Sequence, residues 1–165
     1  MEVNPKLLAK LRKMLRSKNR HERAEAAIAL GQSGVSELLP EVEELIKEKN
    51  GVVSVAGMYA SWLLAGRGID VKRLIDIVLD GEEEEVQMVV QIVSSIGEPL
   101  VDEMSHCLGG SEAEATIALK LLDEIGGTKA RKVVEGFQAV SPEATRLKEK
   151  LLAEWDEGNN DDDRG

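Results

Sequence analysis

The chain has 165 residues, a formal net charge of −10 and an apolar fraction of 42%, which suits one compact domain or one short repeat array. Its four aromatic residues, Tyr59, Trp62, Phe137 and Trp155, argue against sugar or single-strand nucleic-acid binding, which relies on stacking platforms, and its single cysteine, Cys107, excludes an internal disulfide framework and a CxxC-type zinc site. No signal peptide is legible and no apolar run reaches the ~20 residues that span a bilayer, so a soluble protein of a reducing cytoplasm is expected.

The first predicted element, within residues 1–19, is a capping helix near Pro5–Ser17. Leu7, Leu8, Leu11 and Leu15 form one apolar stripe on it, and Lys6, Lys10, Arg12, Lys13 and Arg16 occupy the rest. Residues 1–23 hold eight bases and two acids, a net of +6, which leaves −16 on the remainder. Lys10, Lys13, Arg16 and Arg20 are the candidate basic patch. A basic amphipathic helix of this kind suits a membrane surface, an acidic partner or nucleic-acid phosphates. The acidity of the other residues disfavours nucleic acid, and the basic segment has the alternative of packing over its own acidic body.

Residues 20–140 carry an internal repeat. Four segments align without gaps: Arg23–Gly34 (RAEAAIALGQSG), Val55–Gly66 (VAGMYASWLLAG), Val86–Gly97 (VQMVVQIVSSIG) and Ala115–Gly126 (ATIALKLLDEIG). Each reads as an apolar helix of about three turns, stopped by a glycine suited to the left-handed C′ position. A second helical pattern follows each stop: Leu38, Leu39, Val42, Leu45 and Ile46; Val71, Leu74, Ile75 and Val78; Leu100, Val101, Met104 and Leu108; Ala130, Val133, Val134 and Phe137. The acidic run Glu82–Glu85 opens the third first-helix, where negative charge favours the positive end of the helix dipole. Pro99 opens another helix, and Gly109-Gly110 closes it.

A closing helix spans 141–155, with Ser141 as cap, Pro142 in the first turn and Glu143 behind it. Residues 156–165 (DEGNNDDDRG) read as a disordered acidic tail. Asp161, Asp162 and Asp163 lack the glycine-turned loop of alternating ligands that a calcium site uses. No stretch alternates with period two over strand length. The expected fold is therefore all-α: ten helices, arranged as four stacked hairpins between atypical capping helices, in one domain over 1–155.

AIALGQSG (Ala27–Gly34) and SSIGEPLVDEM (Ser94–Met104) resemble the HEAT-like repeats of phycobilisome-lyase-type and many prokaryotic scaffold proteins. The shared pattern is an Ala/Leu-rich first helix with a glycine stop, then an acidic-Pro opening. The resemblance covers roughly residues 20–140; Gly66-Arg67-Gly68 and Gly126-Gly127-Thr128 depart from it by lacking the acidic-Pro pair. It implies a right-handed α-solenoid that binds other macromolecules, and no single reaction.

Catalytic motifs are scarce. His21-Glu22-Arg23 begins like a zinc-protease signature, but Glu25 stands where the second histidine belongs. His106 follows Asp102 by four residues and Cys107 adjoins it, yet Cys107 falls on the apolar stripe. Gly126-Gly127-Thr128-Lys129 lacks phosphate-loop spacing and joins helix to helix. No cofactor and no metal site is expected, and no enzymatic activity.

Column comparison of the repeats yields the other candidate surfaces. Three columns are expected to be buried: Ala26/Met58/Val89/Ala118, Leu30/Trp62/Val93/Leu122 and Ser33/Ala65/Ile96/Ile125. The outward row is polar in the third repeat (Gln87, Gln91, Ser94) and the fourth (Thr116, Lys120, Asp123). It is small and apolar in the first (Ala24, Ile28, Gly31) and second (Ala56, Ala60, Leu63). The helix over 52–65 is apolar nearly all round, so something must cover it. The expected docking row for a partner or a second copy is Ile28, Ala56, Ala60, Leu63 and Leu64, with cover by the basic first helix as the alternative. Glu41, Glu44, Glu48, Asp76 and Asp102 form a candidate acidic inner wall for a basic partner, or a surface kept acidic for solubility. The function expected is a non-catalytic protein-interaction scaffold. The alternatives are a nucleic-acid-associated adaptor working through the basic helix and a HEAT-like lyase or enzyme subunit.

Overall fold

The computed structural model describes residues 4–162, the side chains of 159–162 excepted. Ten α-helices and no strand occur among these residues: α1 (Pro5–Leu15), α2 (Arg20–Ser33), α3 (Leu39–Ile46), α4 (Gly51–Ala65), α5 (Val71–Asp80), α6 (Glu83–Ile96), α7 (Val101–Cys107), α8 (Glu112–Ile125), α9 (Gly127–Gly136) and α10 (Pro142–Asp162). Short 3-10 turns at Ser36–Leu38 and Glu98–Leu100 lead into α3 and α7.

Local chemistry sets these boundaries. Asn4, Asn19 and Asn50 accept from the amides of Lys6, His21 and Val53, and Ser111 and Ser141 from those of Glu114 and Ala144. Each bond satisfies one of the donors that a helix start leaves unpaired. The four repeat glycines all hold positive φ, at 71°, 66°, 72° and 65°. Only Gly34 and Gly66 are left-handed helical, with ψ of 28° and 24°. Gly97 and Gly126 extend instead, with ψ of −131° and −168°, and the next turn starts at once at Glu98 and Gly127. Either geometry is costly for a residue with a Cβ.

The chain forms two compact units. The first runs to Asp70 and takes in Gly81–Ile92; the second holds α5 and everything from Val93 onward. In the first unit α2 packs on α1 and α4, and α3 packs on α4. Its core joins Leu11 and Leu15 of α1, Ala24, Ala26, Ala27 and Leu30 of α2, Val42 and Leu45 of α3, and Val52, Val53, Ala56 and Ala60 of α4. Ser54 fastens α4 by donating to the Ile46 carbonyl at 2.6 Å. In the second unit α8 packs on α5, α7, α9 and α10. Leu119, Leu121 and Leu122 are buried there, as are Met104, Ala130, Val134 and Leu151. Lys148 caps the end of α9, donating to the carbonyls of Glu135 (3.0 Å) and Phe137 (2.5 Å).

Two expected core columns are close to the observed burial. Ala26, Met58, Val89 and Ala118 are all at most 1% exposed, as are Leu30, Val93 and Leu122; Trp62 is half-buried. The third column differs: Ser33 and Ala65 are exposed, and Ile96 and Ile125 are half-buried. Each is the last helical residue before its glycine, where no further turn of its own helix shields it. The backbone of α10 also continues to Asp162, through seven residues expected to be tail. Asp156 pairs with Arg131 of α9, which holds the first of them. Residues 163–165, the rest of that expected tail, lie outside the described residues.

Candidate functional site

The expected docking row on α4 is already occupied by the chain itself. Ala56 and Ala60 are 0% exposed and lie in the first unit's core, so they face neither solvent nor a second molecule. The element packed on Ala60 is α2, not the basic first helix. A Cβ added to Gly31 would stand 2.9 Å from the Ala60 Cα and 3.1 Å from the Leu63 side chain. The small apolar rows of the first two repeats therefore face each other. Of the row's other members, Ile28 and Leu64 are half-buried and Leu63 remains 41% exposed.

The candidate acidic wall is largely engaged. Glu41 lies 3.6 Å from Arg12, Glu44 3.0 Å from Lys47 and Glu48 3.1 Å from Arg23, all within the first unit. Asp102 lies 3.1 Å from Lys129 within the second unit, and Asp76 is exposed on α5. The exposed pairs among these are worth roughly 0–1 kcal/mol each, the part-buried Arg23–Glu48 pair excepted, and each pair leaves less charge for a partner.

The basic first helix is docked. Leu11 and Leu15 are 7% and 5% exposed, and Leu8 and Met14 pack against the same core. At helical spacing this turns Ala9, Lys13 and Arg16 to the opposite side. A groove of about 550 Å³ beside the α1–α2 turn is lined by Ala9, Arg12, Lys13, Met14, Arg16, Ser17 and Glu22. Lys10, Lys13 and Arg16 are exposed and make no ion pair among the described residues. Arg20, the fourth member of the expected patch, lies at the start of α2, 3.8 Å from Glu84. Arg12 joins the groove although sequence reasoning left it out of the patch. Glu22 accepts a hydrogen bond from the Ser17 hydroxyl, which closes the groove's end.

The turn behind the groove is fastened by Arg23, which the sequence did not single out. Arg23 donates to the Ser17 carbonyl at 2.7 Å and to Glu48 at 3.1 Å, bridging the α1–α2 turn to the end of α3. Glu84 meets His21 at 3.1 Å as well as Arg20. Glu85 accepts from the Gly51 amide at 2.8 Å and the Glu82 amide at 3.2 Å. The acidic run thus holds the starts of α2 and α4 besides opening α6. Charge pattern alone carries no signal for such pairings, which depend on tertiary placement.

Among the described residues no cluster of three or more His, Cys, Asp or Glu side chains is placed to hold a metal ion, and no helix is long and apolar enough to cross a membrane. His106 is exposed and Cys107 half-buried. In the second unit Arg131 hydrogen-bonds Glu135 at 2.8 Å and Asp156, and these two carboxylates, Glu135 foremost, raise its already high pKa. Compared with known proteins, the chain matches no family model and no curated protein.

Proposed function

We propose that the chain is a non-catalytic protein-interaction module, built of HEAT-like hairpins stacked as a solenoid, that docks its partner on the basic face of α1. The reading is supported by the aligned glycine stops, by α2 and α4, the first helices of successive repeats, packing on each other, and by α8 packing on α9. The observation that carries the docking surface is the state of the charges around α1. Four of the five acidic candidates have cations beside them, whereas Lys10, Lys13 and Arg16 stand exposed without an ion pair among the described residues, on a helix pinned by Leu11 and Leu15. A fixed helix presents its charges without paying an ordering cost on binding.

The test is a photo-crosslinking residue placed at Lys13 and, as control, at the exposed Lys120 of α8, in extract from the native cell. Discrete protein adducts formed from position 13 and not from position 120 are expected. The same adducts from both positions, or none from position 13, contradict the reading.

A further inference from the structure

Resting on that reading, we infer that the groove along α1 takes a short acidic segment of a partner protein, its carboxylates on Lys13 and Arg16 and one apolar side chain on the floor formed by Ala9 and Met14. The walls expose more apolar than polar surface, and at about 550 Å³ the space suits a few side chains. The cations are Arg12 and Lys13 of α1 and Arg16 at its C-cap. Arg12 is shared with Glu41 at 3.6 Å, so Lys13 and Arg16 supply the charge that no ion pair among the described residues takes up. Glu22, the one carboxylate among the described residues that line the groove, accepts from the Ser17 hydroxyl.

Charge complementarity selects an acidic ligand, and its extent is limited. The first 23 residues carry +6 and the rest −16, so a long polyanion leaving the groove meets repulsion within a Debye length of about 8 Å. A short acidic segment avoids this, and a nucleic-acid duplex does not. An apolar floor also offers nothing to phosphates. A bilayer fits no better, because Leu11 and Leu15, the centre of the apolar stripe that would insert, are already buried in the first unit's core.

The full chain is titrated against a fluorescein-labelled peptide of repeated Glu-Glu-Leu, read by fluorescence anisotropy. The Lys13→Glu/Arg16→Glu variant is expected to weaken binding at least about tenfold, and Ala9→Glu to do the same by placing a carboxylate on the floor. Replacing the peptide leucines with serine is expected to cost about tenfold, the loss of one buried aliphatic group. A Lys13→Gln/Arg16→Gln pair keeps the test valid if charge reversal disturbs folding, and circular dichroism checks each variant. Equal affinity for wild type and the neutralised variant overturns the inference. So does equal affinity for the leucine and serine peptides, or tighter binding of a duplex DNA probe. Peptide binding that fails while position 13 still crosslinks a protein removes the acidic partner and leaves the docking surface standing.

Discussion

Gly31 of α2 and Ala60 of α4 meet so closely that a methyl group on Gly31 would come within 2.9 Å of the Ala60 backbone. Only hydrogen fits between the two helices there. Gly31→Ala should therefore destabilise the first unit despite the better helix propensity of alanine. Forced separation of packed helices costs about 1–3 kcal/mol, against about 1 kcal/mol gained from propensity. Gly136, at the end of α9 with open space around it, is the contrast. Gly136→Ala should leave stability unchanged or raise it by up to about 1 kcal/mol. Urea unfolding of both variants decides the matter, and a stabilised Gly31→Ala would mean that the helices are not in contact.

Ala60→Glu should abolish folding of the first unit, since it places an unpaired carboxylate at a fully buried position. Leu63→Glu, at a position 41% exposed, should leave the chain folded. Circular dichroism melts separate the two. A folded Ala60→Glu protein would restore the outward row that the repeat comparison predicts.

Leu30→Ala and Leu122→Ala should each cost about 2–5 kcal/mol, because both side chains are fully buried in the same repeat column. Trp62 occupies that column in the second repeat and is half-buried, so Trp62→Leu should cost less. Chemical denaturation of the three variants gives the order.

Much of the helical layout was legible because each boundary has a local cause. Glycine stops, Ser141 with Pro142, and the acid-rich start of α6 act over one turn, and a sequence shows one turn completely. Burial was legible where it follows periodicity, as at Leu30, Val93 and Leu122. It was not legible at Ala56 and Ala60. Column comparison assumes that every repeat turns the same face outward, whereas the small residues of α2 and α4 let these two helices close on each other. The candidate site divides in the same way. The cations of α1 can be counted in the sequence, but that Arg20 is drawn to Glu84 depends on residues more than sixty positions apart coming together, and that Lys13 and Arg16 line a groove depends on how the α1–α2 turn folds back.

Arg23 should matter more than an ordinary surface arginine. Its side chain is 18% exposed and joins the Ser17 carbonyl to Glu48. Arg23→Met should cost about 1–3 kcal/mol, the range for breaking partly buried charged hydrogen bonds, and should speed amide exchange in the α1–α2 turn. Exchange unchanged across residues 15–20 would show that the clasp does not hold that turn.

The most direct test of the docking surface is an amide chemical-shift map of the full chain, titrated with the Glu-Glu-Leu peptide. The largest saturable shifts should fall on Ala9, Lys13, Arg16 and Ser17, with the amides of Leu11 and Leu15 retaining their exchange protection. Shifts centred on α3, α8 or Leu63, or loss of protection at Leu11 and Leu15, would contradict a docked helix that binds through its basic face.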